Sequence, residues 1–312
     1  MLLKTRKLIP FLVNRTIMSD YVKHYESKKI GNIFPNLNKS KHKGQCGRIG
    51  VIGGSQEYTG APYFAGMTAL RFGADLVHIF CAELAGTPIK CYSPELIVHP
   101  ILSDLSVVEQ MEEWLPRLHA VLVGPGLGRD PYIIKMFNQI IPKLAFSDKP
   151  LVIDADGLYI VTLRPSLIKG GKNITLTPNK IEFERLCSAV AKESGEFTDR
   201  NKGLIDYFGS GVTIVEKGEI DLILNAAGRT EVPGGSNCRC GGQGDILSGS
   251  ITLFTHWAHQ SKQENPSLFG AYAGCYVTKE LSKRVFEKMG RSMVAGDLIP
   301  AIPDLLRDLE KE

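Results

Sequence analysis

The sequence predicts a single α/β domain built on a mainly parallel central sheet with helices on both faces. Two observations lead there. Short runs rich in β-branched residues recur from Arg48 onward, apolar on both faces as strands buried between two helix layers are. Helix-length segments with a period near 3.6 separate these runs, and that alternation marks parallel strands joined by right-handed crossovers.

Taken in order, the predicted strands are Ile49 to Ile52, Leu76 to Phe80, Ala120 to Val123, Leu151 to Ile153, Ile174 to Leu176 and Val212 to Val215. The clearest helix follows the first of them. Thr59 stands as its N-cap, Pro62 lies in its first turn, Phe64, Met67 and Leu70 point inward, and Gly73 stops it. No internal repeat or low-complexity linker divides the chain. A basic N-terminal tail is expected over residues 1–40, and the domain over residues 41–312.

Composition sets bounds on function. The 312 residues are 43% hydrophobic and 22% charged, which is ordinary for a globular protein and excludes a coiled coil or wholesale disorder. A chain of this size removes about 75% of its unfolded surface from water without staples. No apolar run approaches the roughly 18 residues of a membrane helix, so no membrane span is expected. Seven scattered cysteines form no zinc-type pairs and no secreted disulfide framework, which points to a reducing compartment.

Charge is unevenly spread. Residues 1–43 carry ten Lys or Arg against Asp20 and Glu26, a net +8, which leaves the rest of the chain at −4. Met1 to Met18 holds Lys4, Arg6, Lys7 and Arg15 with no acid, the pattern of a mitochondrial presequence or of a solvated N-terminus. The expected location is accordingly cytoplasmic, mitochondrial or both. No aromatic residues interleave with a folded basic patch, so nucleic acid is not an expected partner.

Loops at the carboxyl ends of parallel strands carry ligands. Here they read Gly53-Gly54-Ser55, Gly124-Pro125-Gly126-Leu127-Gly128, Asp154-Ala155-Asp156-Gly157, Thr177-Pro178-Asn179 and Lys217-Gly218. The most informative stretch comes later, Cys238-Arg239-Cys240-Gly241-Gly242-Gln243-Gly244-Asp245 running into a helix. Free amides and the positive end of a helix dipole make such a start an anion site. An acid placed there can take a proton from a hydroxyl attacking phosphorus. On these residues alone Asp245 reads either as that base or as a helix cap.

Other motifs fall away. No P-loop is present: Ala61-Pro62 follows Gly60 where the Walker lysine and its Ser or Thr would be needed. Pro125 spoils a dinucleotide fingerprint. His256 and His259 share a helix without an evident third metal ligand, and Cys238 and Cys240 read as small fillers of the glycine loop.

The glycine loop ending in Asp resembles the anion hole of the ribokinase-like superfamily. Seven segments in order narrow the match: Lys41-His42-Lys43-Gly44-Gln45, Gly47 to Ser55, Tyr58 to Tyr63, Val123 to Gly128, Val152 to Gly157, Leu176 to Asn179 and Gly241 to Asp245. Together they resemble the ATP-dependent NAD(P)H-hydrate dehydratases from about residue 41 to the C-terminus. Cys46 and Cys238-Arg239 depart from the family's usual alanine and more basic pair.

The resemblance implies an ATP-consuming hydro-lyase that repairs (6S)-hydrated NADH and NADPH, with Mg²⁺ accompanying ATP and an NAD(P)H-hydrate epimerase in the same pathway. A homo-oligomer is compatible with it. It implies Asp245 as base and hydrate contact, and Gly126, Asn179, Lys180, Ile181, Glu182, Phe183, Glu184 and Arg185 around the hydrate. ATP would meet Lys217, Gly218, Glu219, Ile220 and Asp221, together with Gly235, Ser236, Asn237, Cys238, Arg239, Cys240, Gly241, Gly242, Gln243 and Gly244. Asp154 and Asp156 would hold water or Mg²⁺, or merely order a turn; the metal ligands are otherwise unknown. The competing readings are a kinase of the same fold acting on a vitamin-type alcohol, and a nucleotide-binding subunit without turnover.

Overall fold

Six of the nine strands among the described residues lie where the apolar runs fall. The computed structural model describes residues 23–37, 44–103 and 106–311. The sheet contains β1 (Arg48–Ile52), β2 (Leu76–Phe80), β3 (Ile97–His99), β4 (Ala120–Val123), β5 (Leu151–Ile153), β6 (Ile174–Leu176), β7 (Val212–Glu216), β8 (Asp221–Asn225) and β9 (Gly228–Val232). Its order is β3-β2-β1-β4-β5-β6-β7-β8-β9. Strands β1 to β7 are parallel, and β8 and β9 form an antiparallel hairpin on the β7 edge. The chain runs outward from β1 to β3 and then returns to place β4 on the other side of β1. The sheet's switch point therefore lies between β1 and β4, where the Gly54 amide donates to the Pro125 carbonyl at 2.9 Å and ties the two loops together.

Two apolar layers sandwich the sheet. One face is covered by α1 (Gly60–Phe72), α2 (Glu83–Tyr92), α8 (Gln243–Gln260), α9 (Pro266–Met289) and α10 (Ala295–Lys311). The other is covered by α3 (Val107–Trp114), α4 (Pro131–Ala145), α5 (Ala155–Leu163), α6 (Lys180–Ser194) and α7 (Arg200–Phe208). Strand residues alternate between these cores: Val51 and Leu122 pack on the first, Ile52 and Val123 on the second. Ridges of Ile, Val and Phe on both faces make the strands read as continuous apolar runs.

The first helix departs from expectation in detail. Gly73 ends it in the left-handed region, but Thr59 makes no capping bond; its hydroxyl pairs instead with the Tyr92 hydroxyl at 2.7 Å. Met67 is buried, whereas Phe64 and Leu70 are only half-buried. Phe64 lies at the crest of the sheet, against the glycine loop that begins α8.

The boundary expected near residue 40 needs correction for residues 23–37. A 3-10 helix, Ser27–Ile33, buries Ile30 and Ile33 in the first core. Tyr25 packs edge-on to Phe269, and the Tyr272 hydroxyl donates to the Tyr25 carbonyl at 3.1 Å. Phe34 stacks on Phe254. The many lysines around these apolar residues keep the segment basic overall while its inner side is core. Met1 to Met18, and with them the presequence reading, lie outside the described residues, as do Lys41, His42 and Lys43. No helix among the described residues is long and apolar enough to cross a membrane.

Candidate active site: a nucleotide crevice and a half-buried carboxylate

Asp245 opens α8 beside Gln243 and Gly244, which line a crevice at the crest of the sheet. On the β6–β9 side a crevice of about 820 Å³ is lined by Asn179, Lys217 to Asp221, Pro233 to Asn237, Arg239, Cys240, Gln243, Gly244, Leu247, Thr278, Lys279 and Ser282. The expected ATP residues thus line one cavity, except Cys238, Gly241 and Gly242, which shape the loop without facing it. Its volume suits a nucleotide.

The loop is held from several sides. Ser236 Oγ shares a hydrogen bond with Ser282 Oγ at 2.6 Å and donates to the Cys238 carbonyl at 2.9 Å. Gln243 Nε2 donates to the same carbonyl at 3.2 Å. Gly242, at φ +95°, is the N-cap of α8; a Cβ there would lie 2.7 Å from Ala295 Cβ and 3.0 Å from Phe64 Cδ2. Only glycine fits that backbone and that space. The amides opening α8 then present an anion-binding end to the crevice.

Lys279 was invisible to sequence reasoning. Its ammonium donates to the carbonyls of Gly218 (3.2 Å), Glu219 (2.8 Å) and Gly234 (3.3 Å), so it staples two loops of the crevice to α9. It also stands 3.6 Å from Asp221, a buried carboxylate that accepts the Gly218 amide. Burial raises Asp221 despite that amide and the nearby lysine. No motif marks Lys279, because its partners come together only in the folded chain.

Asp245 sits in the first turn of α8 and makes no capping bond; Gly242 occupies the cap position. The helix-cap reading of Asp245 therefore gives way to a carboxylate available for chemistry. Burial, reinforced by the negative charge of Asp154, pushes its carboxyl up to about 7, against the opposing pull of Lys217. A carboxyl poised there can both accept and hold a proton near neutral pH.

Lys217 and Asp154 stand behind it. Lys217 Nζ donates to Asp154 Oδ1 at 2.8 Å and lies 3.9 Å from Glu182 Oε2. Burial works to lower the Lys217 ammonium, but the carboxylates of Asp154 and Glu182 raise it on balance. Glu182 also accepts the Asn179 amide at 2.8 Å, completing a capping box in which the Asn179 side chain accepts from Ile181 and Glu182. Burial raises the Glu182 carboxyl, with Lys217 pulling the other way.

The remaining residues expected around the hydrate are spread out. Gly126, at φ +60°, lies in the β4 loop against Tyr58, where a Cβ would come 2.8 Å from Tyr58 Cβ. Asn179 faces the crevice, whereas Lys180, Ile181, Glu184 and Arg185 are exposed along α6 and Phe183 turns into the second core. Asp156 orders a turn: it accepts the Gly128 amide at 2.9 Å and the Arg129 guanidinium at 2.7 Å. His256 stacks on His119 and is held near 4 by burial, while His259 Nε2 meets Ser267 Oγ. No group of three potential metal-ligating side chains forms among the described residues.

A parallel sheet with an anion-binding helix start and an adjacent acid defines a ribokinase-like fold, and solved structures agree. A ribokinase-like superfamily protein from Enterococcus faecalis superposes with a TM-score of 0.77 at 19% identity, covering 95% of this chain and 99% of that one. An ADP/ATP-dependent NAD(P)H-hydrate dehydratase from Bacillus subtilis, co-crystallized with ATP/Mg²⁺, gives 0.69 at 20% identity over 94% and 100%. The family model for NAD(P)H-hydrate dehydratase matches residues 49–304. The ATP-dependent (S)-NAD(P)H-hydrate dehydratase of Rattus norvegicus is 47% identical over 281 residues, 88% of this chain and 82% of that protein. The chain belongs to the NAD(P)H-hydrate dehydratase family.

Proposed function

We propose that this protein uses ATP to dehydrate (6S)-hydrated NADH and NADPH back to the reduced dinucleotides. The observation that carries the reading is Asp245, a half-buried carboxylate in the first turn of α8, next in the chain to the crevice-lining Gly244 and under the influence of Asp154 and Lys217. Hydroxide leaves poorly from a saturated ring carbon, so phosphorylation comes first. Asp245 takes the proton of the ring hydroxyl as its oxygen attacks the γ-phosphorus, and the bond to the bridging oxygen breaks to release ADP. The amides of Gly244 and its neighbours face the charge that builds on the transferred group.

The second stage needs little from the protein. The lone pair of the ring nitrogen expels phosphate, and loss of a proton from the adjacent carbon restores the ring double bond. Atoms balance as hydrate plus ATP giving reduced dinucleotide, ADP and phosphate. Lys217 keeps Asp154 neutralised beside Asp245, which limits how far that base is pushed toward its protonated form.

Mg²⁺ enters this reading with ATP. Asp154 is engaged by Lys217, and no protein cage of three ligating side chains forms among the described residues, so the metal belongs mainly to the nucleotide phosphates. Selectivity for one epimer of the hydrate calls for an epimerase acting upstream. The test is to mix protein, Mg²⁺, ATP and hydrated NADH and to follow products. Equal yields of reduced dinucleotide, ADP and phosphate are expected; a stable phosphorylated alcohol would instead mark a kinase.

A further inference from the structure

We propose that the aromatic corner formed by Tyr58, Tyr63 and Tyr92 receives the purine end of the dinucleotide substrate. The proposal rests on the dehydratase reading above and extends it from the reacting ring to the other half of the molecule. If ATP fills the crevice between β6 and β9, its terminal phosphate lies by Gly244 and Asp245, and the acceptor must approach from the opposite side. That side is the switch point, bounded by the loop after β1 and the loop after β4.

What stands there is aromatic and open. Tyr58 is 58% exposed and Tyr92 is 47% exposed. Tyr63 packs edge-on to Tyr92 at 5.3 Å, and next to Phe64 at 5.5 Å. Phe64 in turn abuts Gly242 of the anion loop, so the aromatic wall is continuous with the phosphate site. The Thr59–Tyr92 hydroxyl pair holds the Tyr92 ring where α1 and α2 meet.

The dinucleotide substrate carries a flat purine at its far end, away from the reacting ring. Exposed tyrosines stack on purines without needing a particular base edge.

The test compares two substrates in the full-length protein: hydrated NADH, and the hydrated reduced mononucleotide, which lacks the purine half. Tyr58→Ala and Tyr92→Ala are expected to raise KM for the dinucleotide hydrate about tenfold, with kcat little changed. KM for the mononucleotide hydrate and for ATP should move less than twofold. Tyr92→Phe, which keeps the ring, should recover most of the lost affinity. Equal losses with both substrates would mean the tyrosines only support the fold, and a rise in KM for ATP would assign the wall to the other nucleotide; either overturns the proposal. So would unchanged kinetics. Failure of the wild-type protein to turn over either hydrate would strike the dehydratase reading itself, an outcome distinct from all of these.

Discussion

The Lys217 ammonium and the Asp154 carboxylate, 63 residues apart in sequence, meet at 2.8 Å, and both act electrostatically on Asp245. Burial raises the Asp245 carboxyl most, Asp154 adds to that rise and Lys217 restrains it, so the pair adjusts a pKa that burial has already lifted.

The pH dependence follows with a definite sign. Asp245 must be ionised to accept a proton, and its carboxyl lies near 7 in the free protein. The rate constant kcat/KM should therefore rise with pH up to about 7 and level off above it. A pH profile of initial rates checks this; an acidic limb near 4 would place the base elsewhere.

Replacing Lys217 by Met removes the positive charge that opposes Asp154. The acidic limb should then move to higher pH, and kcat at pH 7 should fall by up to about tenfold for each unit that the limb moves, because less of Asp245 is ionised. Lys217→Arg should recover part of both. An unshifted limb would separate Lys217 from the titration of the base.

Stability should move opposite to activity at Asp245. Its folded pKa is raised above that of the unfolded chain, so the protonated form favours folding and that contribution is lost as pH rises from about 4 through about 7. Asp245→Asn should raise Tm by a few degrees at pH 8 and leave it unchanged at pH 4, with about 4 kcal/mol as the upper bound. Thermal unfolding at the two pH values is the check.

Gly242→Ala should damage both loop and fold. The residue sits at φ +95° with Ala295 and Phe64 at its back, so the variant should lose about 1–3 kcal/mol and bind ATP more weakly. Calorimetric Tm and an ATP titration measure the two effects independently.

The N-terminal segment offers a stability test away from the site. Ile30 is fully buried beneath α10, and Ile30→Ala should cost about 2–5 kcal/mol. Denaturant unfolding decides it. A neutral variant would mean that the segment from Tyr25 to Phe34 adds nothing to the core.

Much of this was legible in the sequence, for physical reasons. Strands flanked by helix layers need apolar residues on both faces, so β1, β2, β4, β5, β6 and β7 stand out as runs. Strand β3 is an edge strand with a single buried residue, Val98, and β8 and β9 form the opposite edge hairpin with Asp221, Arg229 and Glu231 among their apolar residues, so none of the three is apolar on both faces throughout. In β9 the alternation of buried Gly228, Thr230 and Val232 with exposed Arg229 and Glu231 was a readable signal. The glycine spacing exposed Asp245 because anion loops constrain local backbone. Lys279 and the Lys217–Asp154 pair were hidden because tertiary packing alone brings their partners together.

The most direct measurement is turnover of hydrated NADH by Asp245→Asn, with ATP binding followed in parallel. Reduced dinucleotide should cease to form while ATP still binds with nearly unchanged affinity, because the loop amides survive the substitution. Near wild-type turnover in that variant would contradict Asp245 as the proton acceptor and remove the basis for the mechanism.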